Sequence, residues 1–128
     1  MPEKIQVVSS NCPPPTGPYS PAIIAGNLVF LAGQGGFDPV TNEIERGIIP
    51  ETRKTLQNIE GVLKDCGCGL KDIVKITTYL ADVSEFAQVN EVFREMLPQP
   101  FPARTTVQVY LRRDIRIEID VVAVIPDK

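Results

Sequence analysis

The chain has 128 residues, a formal net charge of −3 and no histidine. Its length fits a single domain spanning 1–128, and its acidic balance argues against a grip on phosphate backbones, so nucleic acid is not the expected partner. The missing histidine removes Ser-His-Asp and Cys-His triads and His-ligated zinc, leaving acid–base work to carboxylates, Tyr, Lys, Cys, backbone groups or water.

The N-terminus, Met1-Pro2-Glu3-Lys4, has no apolar signal core. No run approaches the ~18 apolar residues of a membrane span. A cytoplasmic protein with no membrane partner is therefore expected. Ile5–Val8 predicts a short strand. The segment 11–21 holds five of the twelve prolines and predicts an extended, semi-rigid loop. Ala22–Ala25, Gly26-Asn27 and Leu28–Ala32 predict a β-hairpin closed by a Gly/Asn turn. Gly33-Gln34-Gly35-Gly36 ends that hairpin in flexible backbone, and Asp38–Asn42 is a further turn.

Ile49-Pro50-Glu51 opens a helix, with Pro50 near its first position. Leu56, Ile59, Val62, Leu63 and Cys66 follow helical spacing, and Gly67 and Gly69 stop the helix. Three cysteines (Cys12, Cys66, Cys68) make an odd count, which argues against a disulfide framework. They also lack partners for a metal site, and no cofactor is expected. Asp72–Ala81 predicts a strand with Val74, Ile76, Thr78 and Leu80 on one face and Lys75, Thr77 and Tyr79 on the other. Ser84 is expected to cap a second helix, whose stripe is Phe86, Val89, Phe93, Met96 and Leu97. Pro98, Pro100 and Pro102 break it.

Arg104–Leu111 and Ile115–Ile125 predict two closing strands. In the second, every odd residue from Ile115 to Ile125 is apolar, a strong period-2 signal. Arg112-Arg113-Asp114 is read as a charged three-residue hairpin turn pairing Leu111 with Ile115. The result is an α+β domain with both helices on the apolar face of the sheet. The other face is expected to carry Arg104, Thr106, Gln108, Glu118 and Asp120 beside Lys75, Thr77 and Tyr79. Such a face is either solvated or met by another subunit.

Four segments could carry chemistry. Phe101-Pro102-Ala103-Arg104 delivers a guanidinium from a stiff approach, a planar fork suited to a carboxylate. A surface arginine or an internal ion pair has the same spacing. Glu118 is expected opposite Gln108 in the hairpin register, ~13 Å along the strand from Arg104. The two could hold a small molecule between them, or Glu118 could serve a site shared with a neighbouring chain, or simply pair with Arg116 or Lys75. The Gly33 segment could bring backbone N–H groups close to an anion, although it is neither a Walker loop nor a dinucleotide fingerprint. Tyr19, fixed between Pro18 and Pro21, could wall a pocket or simply pack.

Taken in order, Gly17-Pro18-Tyr19-Ser20, Gly26-Asn27 with Leu28-Val29-Phe30, Gly33-Gln34, Gln57-Asn58-Ile59, Asp72-Ile73-Val74-Lys75, Val89-Asn90, Pro102-Ala103-Arg104-Thr105-Thr106 and Ile117-Glu118-Ile119-Asp120 resemble the RidA/YjgF family. The resemblance runs through nearly the whole chain. It implies a chorismate-mutase-like fold (bacillus type), a mixed β-sheet with two helices on one face, and a homotrimer with sites between subunits. It also implies an activity: hydrolysis of 2-imino acids, or their enamine tautomers, to 2-oxo acids and ammonia, these reactive species coming from pyridoxal-phosphate dehydratases. By resemblance, Arg104 clamps the substrate carboxylate and Glu118 handles the water. The Gly33 N–H adds a hold, the Thr106 carbonyl takes the imine nitrogen, and Tyr19 and Asn90 line the cleft. Gly35-Gly36-Phe37, Ala32 and Asp120 depart from the commoner family residues, and the closing hairpin is a residue shorter than in some members. Two other functions fit the same residues less fully. One is a module that binds a 2-oxo acid without turnover. The other, attached to relatives, is an endoribonuclease or translation inhibitor, against which the acidic charge and the missing histidine count.

Overall fold

The computed structural model describes residues 3–127; Met1 and Pro2, read above as part of the N-terminus, lie outside them. The described residues form six strands and two α-helices: β1 Lys4–Val7, β2 Ala22–Ala25, β3 Leu28–Leu31, α1 Ile48–Asp65, β4 Ile73–Leu80, α2 Phe86–Met96, β5 Ala103–Gln108 and β6 Ile117–Val124. One mixed sheet takes all six strands in the order β1-β2-β3-β6-β4-β5. Every neighbouring pair is antiparallel except β4 and β5, which run parallel.

Local chemistry explains the predicted elements that are present. Gly26 takes φ 62° in the turn between β2 and β3, a conformation open to glycine at no steric cost. α1 ends in a Schellman motif. Gly67 adopts φ 79°, its N–H donates to Lys64 O, and the Cys68 N–H donates to Leu63 O, so the last carbonyls are satisfied. Leu56, Ile59, Val62 and Leu63 are fully buried. They meet Ile117, Ile119 and Val121 from β6 and Ile76 and Leu80 from β4 in one core cluster. Each such side chain contributes about 1.5–3 kcal/mol by leaving water.

Three expectations are corrected. Ser84 does not cap α2. Asp82 does the capping work one turn earlier, accepting the Ser84 N–H at 2.9 Å and the Ser84 hydroxyl at 2.7 Å, and the 3-10 turn Val83–Glu85 leads into the helix. In β4 a register shift between Ile73 and Lys75 buries Ile73 and leaves Val74 exposed, so Val74 leaves the apolar face. The largest correction concerns β5 and β6, which do not form a hairpin. The helix α2 lies between β4 and β5 in the chain, and a strand–helix–strand crossover returns the second strand parallel to the first. Residues 109–116 then carry the chain past the end of β4. Val109 N–H donates to Leu80 O, and Ala81 N–H donates to Arg116 O. Arg113 and Asp114 take left-handed backbone there.

That topology resets which residues share a face. Arg104 registers with Ile76, Thr106 with Thr78 and Gln108 with Leu80. Ile76 and Leu80 belong to the core beneath the helices, so Arg104, Thr106 and Gln108 point to the helix side at the sheet's edge. Glu118 registers with Tyr79 and Asp120 with Thr77, on the open face. There the Tyr79 hydroxyl donates to Asp120 at 2.8 Å and Lys75 Nζ donates to Thr105 at 2.7 Å.

Candidate functional site

Arg104 is held by three side chains of α2. Its Nη1 donates to Asn90 Oδ1 at 2.7 Å. Its guanidinium lies over the Phe86 ring at 4.8 Å and the Phe93 ring at 5.4 Å. The rings and the amide fix the fork and together contribute on the order of 1–2 kcal/mol. Helical spacing places Asn90 and Phe86 one turn apart and Phe93 on the same flank. Burial, and then the nearby charge of Arg94, pull the Arg104 pKa below its ordinary value, yet a guanidinium stays ionised at any physiological pH. The fork borders a cavity of about 290 Å³ that Phe101, Pro102 and Leu97 also line.

Glu118 stands in a second, separate place. With Tyr19, Gly33, Gln34, Cys12 and Arg112 it lines a cavity of about 170 Å³ between the proline-rich loop and the residues after β3. Gly33 makes room for its carboxylate: a Cβ built there falls 2.5 Å from Glu118 Oε2 and 2.9 Å from its Cδ. Burial raises the pKa of Glu118 above the usual carboxylate range, Asp120 raises it further, and Arg112 opposes both. Ala32 N–H is taken by Pro21 O and Gln34 N–H by Ile119 O. The Gly33 N–H between them has no acceptor among the described residues. Tyr19 is half exposed on the rim.

The structure therefore sorts the predicted residues into two groups. Arg104 and Asn90 come together on the helix side of the edge strand, and Tyr19, Gly33 and Glu118 come together on the other side. Arg104 and Glu118 are not joined within one chain. They lie on opposite faces, two strands and three register steps apart, about 14 Å between backbone positions. Thr106 is divided between the two sides. Its hydroxyl is buried without a partner, whereas its carbonyl faces the free edge. Because the Val109 N–H points to β4 and peptide groups alternate along a strand, those of Thr106 point away from it.

Glu51 escaped the sequence reading. It is fully buried, and its Oε2 accepts the N–H groups of Arg116 and Ile117 at the start of β6. Its Oε1 has no partner among the described residues. Burial raises its pKa above the usual range. The signal was available, since Glu51 precedes Thr55 and Ile59 by four and eight residues, on the buried stripe. Among the described residues no three His, Cys, Asp or Glu side chains converge as a metal site. Nor is any helix among them long and apolar enough to cross a membrane.

Fold and site geometry define a class, and comparison with known proteins identifies it. The family model described as Endoribonuclease L-PSP matches residues 9–125, and the chain belongs to this family, also called RidA/YjgF/RutC. A RutC family protein of Pyrococcus horikoshii is 45% identical over 119 residues, covering 91% of this chain and 94% of the relative. A goat (Capra hircus) protein named 2-iminobutanoate/2-iminopropanoate deaminase is 35% identical over 120 residues, covering 92% and 88%. The crystal structure of RidA from an Antarctic Psychrobacter matches with a TM-score of 0.90 at 36% identity, over 94% of this chain and 98% of that one. The mixed six-stranded sheet with two helices is the fold of these relatives.

Proposed function

We propose that the chain hydrolyses 2-imino acids, or their enamine tautomers, to 2-oxo acids and ammonia, at sites formed between copies in a homotrimer. The observation that carries this reading is the placement of Arg104 and Glu118 on opposite faces of one sheet. A site using both needs the helix-side edge of one chain against the open face of another. Relatives at 35% identity that carry the deaminase name support the chemistry.

In that site Arg104, steadied by Asn90, binds the substrate carboxylate, and the free Gly33 N–H adds a second donor to it. Glu118 takes a proton from a water whose oxygen adds to the imine carbon. The imine nitrogen takes up the proton held by Glu118 as the C=N bond becomes a single bond, and the free-edge Thr106 carbonyl accepts its N–H. The carbinolamine then collapses: its hydroxyl proton passes by way of Glu118 to the nitrogen, the C=O bond forms as the C–N bond breaks, and ammonia leaves. An imine is electrophilic already, so orientation supplies much of the rate. A carboxylate with a raised pKa is also a stronger base than a solvated one.

The test is a coupled assay generating 2-iminobutanoate in situ. Wild type should speed ammonia release, and Arg104→Ala should lower kcat/KM by ~10²-fold or more, given roughly 1.5–3 kcal/mol per charged hydrogen bond lost. Coexpression of Arg104→Ala and Glu118→Gln chains tests the shared site. Equal random mixing leaves about one interface in four with both groups intact, so activity should return to about that share. Mixed oligomers as dead as either parent would sink the shared site.

A further inference from the structure

The cavity beside Arg104 holds a second cation that the chemistry above does not use. Arg94 lines it, one helical turn beyond Asn90 and therefore about 6 Å further along the α2 axis. Its charge is felt at Arg104, where it disfavours the protonated form. Among the described residues no carboxylate lines the cavity. The ion pairs among the described residues are Arg53 with Glu95, Lys54 with Asp38 and Arg116 with Glu85, so Arg94 has no such partner there. Two guanidiniums facing one partly enclosed space with no counter-charge repel each other, and an anion placed between them relieves that cost. Phe101 and Leu97 form an apolar wall beside them.

We infer that this cavity takes a doubly anionic ligand, a 2-imino or 2-oxo dicarboxylate, with Arg104 on the carboxylate next to the reacting carbon and Arg94 on the distal one. The inference rests on the reading of Arg104 as the carboxylate hold. The cavity of about 290 Å³ that both guanidiniums line has room for a chain of four or five carbons, and the apolar wall packs the methylenes between its ends. Arg94 is then a specificity residue: it tells a dicarboxylate from a monocarboxylate of equal length.

Calorimetric titration of the purified protein with 2-oxoglutarate and with 2-oxobutanoate, in wild type, Arg94→Gln, Arg53→Gln and Arg104→Ala, tests this. Wild type should bind 2-oxoglutarate ~10-fold or more tighter than 2-oxobutanoate, the equivalent of one charged hydrogen bond. Arg94→Gln should erase most of that ratio. Arg53→Gln, which removes an equal charge already paired with Glu95, should leave the ratio in place. Equal affinities in wild type, or an unchanged ratio in Arg94→Gln, would overturn the second-carboxylate site while Arg104-dependent binding of 2-oxobutanoate keeps the first intact. Binding of 2-oxobutanoate that survives Arg104→Ala, or no binding of either acid by wild type, would overturn both.

Discussion

The two halves of the candidate site are built by opposite means. Around Arg104, side chains hold a side chain: two phenyl rings and an amide from α2 fix the guanidinium. Around Glu118, bare backbone makes the site, because the carboxylate occupies the space where Gly33 lacks a Cβ. The difference matters because the two groups respond differently to burial. A guanidinium keeps its charge when half covered. A carboxylate's pKa moves with its surroundings, so the acid half can be retuned by small changes around it while the basic half cannot. The cation's charge is fixed and the acid's is adjustable.

Removing the acid's ionisable oxygen while keeping its shape is the most severe way to test that contrast. Glu118→Gln should lower kcat for imine hydrolysis by ~10²–10⁴-fold, the usual range for losing a general base, with KM much less affected. Equal losses in KM and none in kcat would make Glu118 a binding group instead. Gly33→Ala should follow, with kcat down by up to ~10²-fold, as expected when a reacting group moves by about an ångström. Its methyl cannot share the space of Glu118 Oε2, and a structure of the variant should show the carboxylate displaced.

Two smaller effects sharpen the same contrast. In the proposed mechanism the rate requires ionised Glu118, whose pKa lies above the usual range, so the rate should fall as pH drops through that raised value. Asp120→Asn removes a negative neighbour that raises it. The acid limb of the kcat–pH profile should therefore move to lower pH, and a limb that stays put would assign it to another group. Smallest is Glu51→Gln, read by thermal unfolding. The folded pKa of Glu51 is raised, so the folded state holds the proton more tightly than the unfolded chain, and stability falls as pH rises from the unfolded value through the folded one. The amide keeps an acceptor for the Arg116 and Ile117 N–H groups and carries no buried charge. It should raise Tm by about 3–5 °C at pH 7, if the gain is about 1 kcal/mol, and by less at pH 5.

Much of the fold was legible because period and composition agree. The eleven-residue alternation from Ile115 to Ile125 announced the central strand, and its odd residues from Ile115 to Ala123 are buried. Arg104 was legible as a residue but not as a placement. Arg104-Thr105-Thr106-Val107-Gln108 has no decisive apolar side, so its face was read from an assumed hairpin at Arg112–Asp114. A crossover through α2 decides it instead, and parallel pairing leaves no mark in the turn. Val92, buried in α2, and Glu51, buried in α1, were missed for one shared reason. Each lies on a helical face whose buried width depends on tertiary packing, and in the case of Glu51 the partners are backbone groups sixty-five and sixty-six residues away.

The opposite-face placement has a consequence for the lone chain. A guanidinium and a carboxylate free to meet would close into an ion pair and occupy the surfaces a ligand needs. Here the sheet itself acts as an insulating wall between them. A newly made chain therefore keeps both groups open instead of short-circuiting one with the other, and in the proposed trimer the circuit would close only when another copy arrives with room for a substrate between the terminals.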